Sequence, residues 1–331
     1  MVFVLFKLIV WHNKPDKEVK DLSLPDSLTR IQQETVTVAA GINLLQERWP
    51  DGISLKIADE RDIISDYFPY LFISAFPSVT TSQSRPLAIA GQLLANSLVL
   101  YDGMMDDAPI AAPKGALLQA QAMQFEAYHL LQKLFPSEAV FWEHFRQYLV
   151  EYANACLQEQ RFVSGERPWR EYTETLAIQI AIGRSGVART AIAGLVELDQ
   201  NDQLLSLLEE SINHFFLANQ MLDDLVDWKE DLRRGIPSLL LSRVVNEWPV
   251  KLSRKDLESQ LESLARKVYY RRHAHYVLEI ALESLDRADH LKSELPDLLW
   301  WDVIAELRCR CEMLLKDIKQ IVEKNLFATR S

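Results

Sequence analysis

The chain has 331 residues, 48% of them hydrophobic and 25% charged, which supplies a large buried core and excludes a disordered or fibrous protein. Its 47 acidic and 36 basic residues give a formal net charge of −11, a field that repels phosphate backbones and argues against nucleic-acid binding. An anionic ligand must therefore be held locally, through metal ions or a few basic side chains.

In chain order, residues 1–11 are apolar, but Lys7 interrupts them and no small-residue cleavage site follows. The run is too short to span a bilayer, so it reads as a segment packed on the body, with peripheral membrane contact as the alternative. No Ser/Gly-rich linker, internal repeat or shift in composition marks a boundary. One domain over 1–331 is expected, with 1–30 as a peripheral N-terminal segment.

Only 10 glycines occur, and from residue 87 onward Leu, Ala, Glu, Gln and Arg dominate, all strong helix formers. Apolar residues recur at helical spacing over 87–105, 116–134, 141–163, 169–196, 202–232, 255–285 and 298–325. Turn chemistry separates these runs at Asp107-Ala-Pro, Leu134-Phe-Pro-Ser, Ser164-Gly-Glu-Arg-Pro, Glu197-Leu-Asp-Gln-Asn-Asp, Arg234-Gly-Ile-Pro and Glu294-Leu-Pro-Asp. Strand periodicity is nearly absent. The fold class is all-α, a bundle of long helices around a deep interior. The three cysteines, Cys156, Cys309 and Cys311, are odd in number and lack a metal-site spacing, which fits structural thiols in a reducing cytoplasm.

Two aspartate clusters stand out. In Tyr101-Asp102-Gly103-Met104-Met105-Asp106-Asp107, Asp102 and Asp106 are one helical turn apart on one face, with Asp107 beside them. In Asp223-Asp224-Leu225-Val226-Asp227-Trp228-Lys229-Glu230-Asp231, the carboxylates of Asp223, Asp227 and Asp231 fall at i, i+4 and i+8 and are expected to stack along one face of a single helix. Like charges at that spacing repel, and the apolar residues Phe215, Phe216, Leu217, Met221 and Leu222 lie next to them, so divalent cations are the expected compensation. Mg²⁺ suits such a set because it prefers carboxylate oxygens and commonly completes its shell with water and phosphate oxygens. Two acidic helix faces across a cavity would hold a diphosphate through bridging metals.

These residues resemble the trans-isoprenyl diphosphate synthases and the related class I terpene synthases. That family carries an Asp-Asp-x-x-Asp motif on one helix and a second aspartate-rich motif on another. Here Asp102-Gly103-Met104-Met105-Asp106 stands in the first place, with Gly103 where the second aspartate is expected, and Asp223-Asp224-Leu225-Val226-Asp227 matches the second in full. Gln220 before the second motif and Gly235-Ile236-Pro237-Ser238 after it are also similar, and the resemblance covers roughly residues 63–241. It implies the all-α terpenoid-synthase fold, three Mg²⁺ ions and departure of diphosphate from an allylic substrate. The metal ligands it implies are Asp102, Asp106, Asp107, Asp223, Asp224, Asp227 and Asp231. Arg184, which resembles the arginine that senses diphosphate in the cyclases, joins Gln220, Lys229, Arg233 and Arg234 as a diphosphate-binding candidate. Asp102, Asp106, Asp223, Asp227 and Arg184 are the catalytic set.

The departures point to the reaction type. Chain-elongating members bind isopentenyl diphosphate with a Gly-Gly-Lys-Arg-x-Arg-Pro stretch and an Arg-Arg pair; the segment ending Asp66-Tyr67-Phe68-Pro69 lacks those basic residues, and 108–113 contains no arginine. A class I terpene synthase, which ionises an allylic isoprenyl diphosphate of ten to twenty carbons or longer and forms a terpene, is the leading expectation. The alternatives are a prenyltransferase, by chain elongation or by transfer to another acceptor, and a non-catalytic regulatory subunit of one. The sequence also allows a homodimer.

Overall fold

The computed structural model of the protein describes residues 26–56, 67–106, 115–247, 260–295 and 297–328. No strand occurs among them. The helices are α1 (Asp26–Gln46), α2 (Thr81–Asp106), α3 (Ala116–Leu134), α4 (Phe141–Val163), α5 (Glu174–Arg184), α6 (Gly186–Asp199), α7 (Leu205–Val226), α8 (Trp228–Arg234), α9 (Leu239–Asn246), α10 (Leu261–Tyr270), α11 (His273–His290) and α12 (Trp300–Ala328), with short 3-10 turns that include Phe68–Leu71 and Trp169–Glu171. The all-α expectation holds, and α3 and α4 coincide with their periodic runs. The N-terminal residues 1–25 and the segments 57–66 and 107–114, with Asp66 and Asp107, lie outside the described residues.

Three periodic runs divide where their apolar pattern continues. The run 169–196 breaks at Ser185, 202–232 at Asp227, and 255–285 at Arg271 and Arg272, the latter in the left-handed region at φ 62°. Periodicity reports which side of the chain is buried, and two helices at an angle can share that side.

By contacts between residues the chain forms two compact units, each built from separated segments. The first comprises the described residues within 1–150, 186–209 and 294–300. Its centre is α2, which packs against α3, α6 and α1. Residues 81–105 of α2 are long and apolar enough to cross a membrane by composition, and that same content covers Leu87, Ala90, Leu93 and Leu94 in the core. Phe135 stacks on Phe141 at 4.0 Å, and Phe68, Phe72 and Trp300 form a second aromatic group with centroids 5.1–5.7 Å apart.

The second unit comprises the described residues within 151–185, 210–293 and 301–331. Here α11 packs on α9 and α10, and Ser242 of α9 donates to the Trp169 carbonyl at 2.8 Å. Gly183 controls one close approach: a Cβ there would lie 2.8 Å from the Ala155 Cβ and 2.9 Å from the Glu151 carbonyl oxygen. The missing side chain lets α5 close on the second half of α4.

Gly183→Ala is expected to lower unfolding stability by about 1–3 kcal/mol, because backbone must move, although alanine is the better helix former. Gly91 in α2 meets nothing within 4 Å, so Gly91→Ala should raise stability by about 0.5–1 kcal/mol. Denaturant unfolding of the two variants checks the pair, and a stabilised Gly183→Ala would contradict the packing described.

Candidate functional site

In the first unit, Asp102 lies near the C-terminal end of α2 and is buried, at 2% exposure. Asp106 is the last residue of that helix. A Cβ at Gly103 meets nothing within 4 Å, so packing does not require glycine at the position where the resemblance expects an aspartate.

The second cluster is built by a change of helix. α7 ends at Val226, and Asp227 sits at the N-cap of α8 with φ −101° and ψ 4°, without using its side chain as a cap. The expected single face for Asp223, Asp227 and Asp231 is therefore divided between two helices. The chain stays close to helical across the break, since the Asp227 N–H bonds the Asp223 carbonyl at 2.9 Å and the Asp231 N–H bonds the Asp227 carbonyl at 3.0 Å. Trp228 and Leu232, one turn apart, anchor α8 in the core. Gly235 ends it in the left-handed conformation at φ 80°, which glycine adopts without strain. Ser238 then caps α9 by accepting from the Leu241 N–H at 3.2 Å.

Asp224 points inward. One carboxylate oxygen accepts from the Gln220 side-chain amide at 2.5 Å, and the other accepts from the Leu239 N–H at 3.1 Å, at the first residue of α9. A carboxylate at a helix N-terminus is favoured by the helix dipole, so Asp224 fastens the end of α7 to the start of α9. Gln220 and Asp224, expected on the diphosphate and on metal, thus occupy each other in the structure.

Arg184, the last residue of α5, forms an ion pair with Glu159 of α4, with their side chains 9% and 3% exposed. The Ser185 hydroxyl, next in the chain, lies 2.6 Å from the Ile182 carbonyl and 2.8 Å from the Asn213 side-chain oxygen, which ties the end of α5 to α7. Glu159 had no motif to reveal it, and neither had Tyr172, buried just before α5, whose hydroxyl feels Glu159, Asp224, Arg184 and Asp231. Lys229 and Arg233 are exposed and Arg234 is partly buried, with the Lys229 ammonium 5.5 Å from the Trp228 ring centroid.

Negative charge exceeds positive charge in this neighbourhood, and the carboxyl groups respond. Burial pushes Asp224 up to about 8, with Asp223 adding repulsion and the Gln220 and Leu239 hydrogen bonds opposing it. Burial pushes Asp231 up to about 9, reinforced by Asp224, Asp223, Asp227 and Glu159. Among the described residues, no three of the Asp, Glu, His and Cys side chains converge closely enough to hold a metal ion on their own.

Because its folded-state value is raised to about 9 and an unfolded aspartate titrates near 3.9, Asp231 holds more protons folded than unfolded between those limits. Its contribution to stability therefore falls as pH rises through that window. In a metal chelator, Asp231→Asn is expected to raise the melting temperature at pH 8 and to raise it less at pH 5. A variant less stable than the parent at pH 8 would contradict this electrostatic reading.

No family model and no curated protein matches the chain. Solved structures do. Geranylgeranyl pyrophosphate synthase from Corynebacterium glutamicum, complexed with calcium and isoprenyl diphosphate, is similar at a TM-score of 0.69 and 16% identity, covering 90% of this chain and 99% of that one. Polyprenyl synthase from Caulobacter crescentus, complexed with the same two ligands, gives 0.65 at 15% identity over 87% and 97% of the chains. Geranylgeranyl pyrophosphate synthetase from Pyrococcus horikoshii gives 0.64 at 16% over 88% and 98%. The likeness spans nearly the whole of each relative while sequence identity is low, and the chain has the all-α fold of the trans-isoprenyl diphosphate synthases.

Proposed function

We propose that the protein is a metal-dependent prenyltransferase that ionises an allylic isoprenyl diphosphate. The observation that carries this reading is the acid-rich cluster of the second unit, where Asp223, Asp224, Asp227, Asp231 and Glu159 act on one another and Arg184 is paired with Glu159. Carboxyl groups raised toward 8 and 9 by burial and mutual repulsion are a donor set that a divalent cation would relieve. The fold supports the same reading, since two of the similar synthases are complexed with calcium and isoprenyl diphosphate.

The donors are hard carboxylate oxygens, which suits Mg²⁺, and the absence of a closed cage among the described residues suits an ion that takes part of its shell from water and phosphate. Asp223, Asp227 and Asp231 in the second unit would hold Mg²⁺, as would Asp102 and Asp106 in the first; the family resemblance sets the number of ions at three. Bound there, the metal supplies Lewis-acid neutralisation of the charge that develops on the departing diphosphate. Arg184 adds a fixed positive charge whose direction is set by Glu159, a preorganised contact that requires no rearrangement as the leaving group becomes more negative. Lys229, Arg233 and Arg234 on α8 are further donors to diphosphate oxygens. Asp224 acts through α9 by holding its first residue in place.

The acceptor differs from that of a chain-elongating synthase. Elongation requires a second diphosphate, and the sequence offers Asp66 and the arginine-free stretch 108–113 where its cations are expected. An anionic co-substrate placed without them loses several kcal/mol of Coulomb and solvation energy, roughly a thousandfold or more in affinity. The same departure favours a second reading, a terpene synthase with no acceptor but water or the prenyl chain itself.

Incubation with Mg²⁺ and allylic diphosphates of ten, fifteen and twenty carbons, with and without isopentenyl diphosphate, tests the reading by analysis of diphosphate and prenyl products. Release of diphosphate that accelerates with a neutral acceptor is the expected outcome, with little chain extension. A cyclic hydrocarbon from the allylic substrate alone selects the terpene synthase, and efficient extension at micromolar isopentenyl diphosphate selects an elongating synthase. Absence of diphosphate release from every substrate would show a non-catalytic protein.

A further inference from the structure

Helices α9 and α11 meet through two matched pairs of side chains. Arg243 and Glu247 lie one turn apart at the end of α9, and His273 and Tyr276 lie in the first turn of α11. The Arg243 guanidinium sits 3.5 Å from the Tyr276 ring centroid, and His273 Nε2 sits 3.0 Å from one carboxylate oxygen of Glu247. From α10 the Lys267 ammonium comes within 3.4 Å of the other carboxylate oxygen and within 3.4 Å of the Glu247 carbonyl. Glu247 thus joins the end of α9 to α10 and α11 at once. The start of α9 is pinned separately, by the bond from the Leu239 N–H to Asp224. A helix of eight residues does not persist without such contacts, so α9 depends on what holds its two ends.

His273 is the inner member of the junction, at 6% exposure against 36% for the Glu247 side chain. Both of its ring nitrogens are enclosed and neither makes an aligned hydrogen bond. Nε2 approaches Glu247 off-line, and Nδ1 meets no partner among the described residues. Arg272, the preceding residue, takes the left-handed conformation at φ 62° and pairs with Glu279 at 3.5 Å. We infer that His273 is an acid-sensitive latch, which closes the junction of α9, α10 and α11 while its ring is neutral and opens it on protonation.

A second proton on the ring places a full positive charge where three features oppose it. With both nitrogens protonated, Nδ1–H is a buried donor with no described acceptor, which costs free energy. The ring stands on the first residue of α11, where the helix dipole disfavours a cation. Arg243 faces it from α9 and Lys267 from α10, and both repel it. Glu247 is the opposing attraction, but it is partly exposed and already shared with Lys267. Burial leads the balance and holds His273 below its ordinary value of 6.5, with Glu247 acting against it and Arg243 and Lys267 alongside it. An opened junction takes up the proton near 6.5, so the closed form binds fewer protons below that pH and loses stability as pH falls.

Hydrogen exchange of the full chain between about pH 7.5 and about pH 5.5, with an NMR titration of the His273 ring, tests the latch. In the parent, protection of the amides at the end of α9 and the start of α11 is expected to fall by up to about tenfold per pH unit below 6.5, the effect of one proton taken up on opening. His273→Gln and His273→Phe remove the titrating group, one keeping a polar side chain and the other an aromatic ring, and both are expected to flatten that dependence. A decline in either folded variant as steep as the parent's overturns the proposal, and so does protection in the parent that does not change with pH. The ring titration is read on the parent alone and decides the matter even where a substitution prevents folding. A midpoint below 6.5 is expected, and one at or above 6.5 overturns the latch.

Discussion

The organising constraint in the second unit is the crowding of acidic groups at the core, which burial and mutual repulsion resist ionising. Four aspartates of one short segment and Glu159 share a neighbourhood with the half-buried Arg184, and desolvation alone opposes keeping such groups ionised. The fold lowers that penalty group by group. Asp224 is satisfied by an amide and by the N–H at the start of α9, where the helix dipole favours its charge. One oxygen of Glu159 is paired with Arg184, which Gly183 allows to come close by removing a side chain between α5 and α4. Asp231 receives no comparable relief and carries the largest raised value of the set, about 9. A neighbourhood partly neutralised and partly left charged is what a cation-dependent site requires, because full neutralisation by the protein would leave nothing for a metal to do.

The helix breaks belong to the same account. An uninterrupted helix over 202–232 would set Asp223, Asp227 and Asp231 in one row. Ending α7 at Val226 and starting α8 at Trp228 buries Trp228 and Leu232 and draws Asp231 inward with them. Gly235 ends α8 in the left-handed conformation, and beyond it Ser238 caps α9 while the Leu239 N–H donates to the carboxylate of Asp224. The polar chemistry is thus fixed by apolar anchors on the opposite side of the same residues, the usual way in which a core positions a site.

Helical periodicity made the all-α class and the bounds of α3 and α4 legible in the sequence. It did not reveal the breaks at Ser185, Asp227 and Arg272, because the apolar side continues across each one, and a conformation such as the φ of 62° at Arg272 leaves no trace in composition. Helix α1 escaped notice because Thr35, Val36, Thr37 and Val38 are β-branched and weak helix formers, and tertiary contact with α2 decides their state. The aspartates and Arg184 were visible as motif residues. Glu159 and Tyr172 were not, since each belongs to a run with no motif and enters the cluster only through tertiary folding. The direction of Asp224 was equally hidden, because spacing alone does not say which of two adjacent aspartates turns toward the core.

The cation dependence that follows from this charge excess separates the account from a simple basic pocket. Thermal unfolding with Mg²⁺ alone, diphosphate alone, and both together measures it directly. At a hundredfold excess over the dissociation constant, stabilisation of about 2.7 kcal/mol, on the order of 5 °C, is expected for the combination. Each component alone should give clearly less, because each completes the other's coordination. Equal stabilisation by diphosphate without metal would contradict the account.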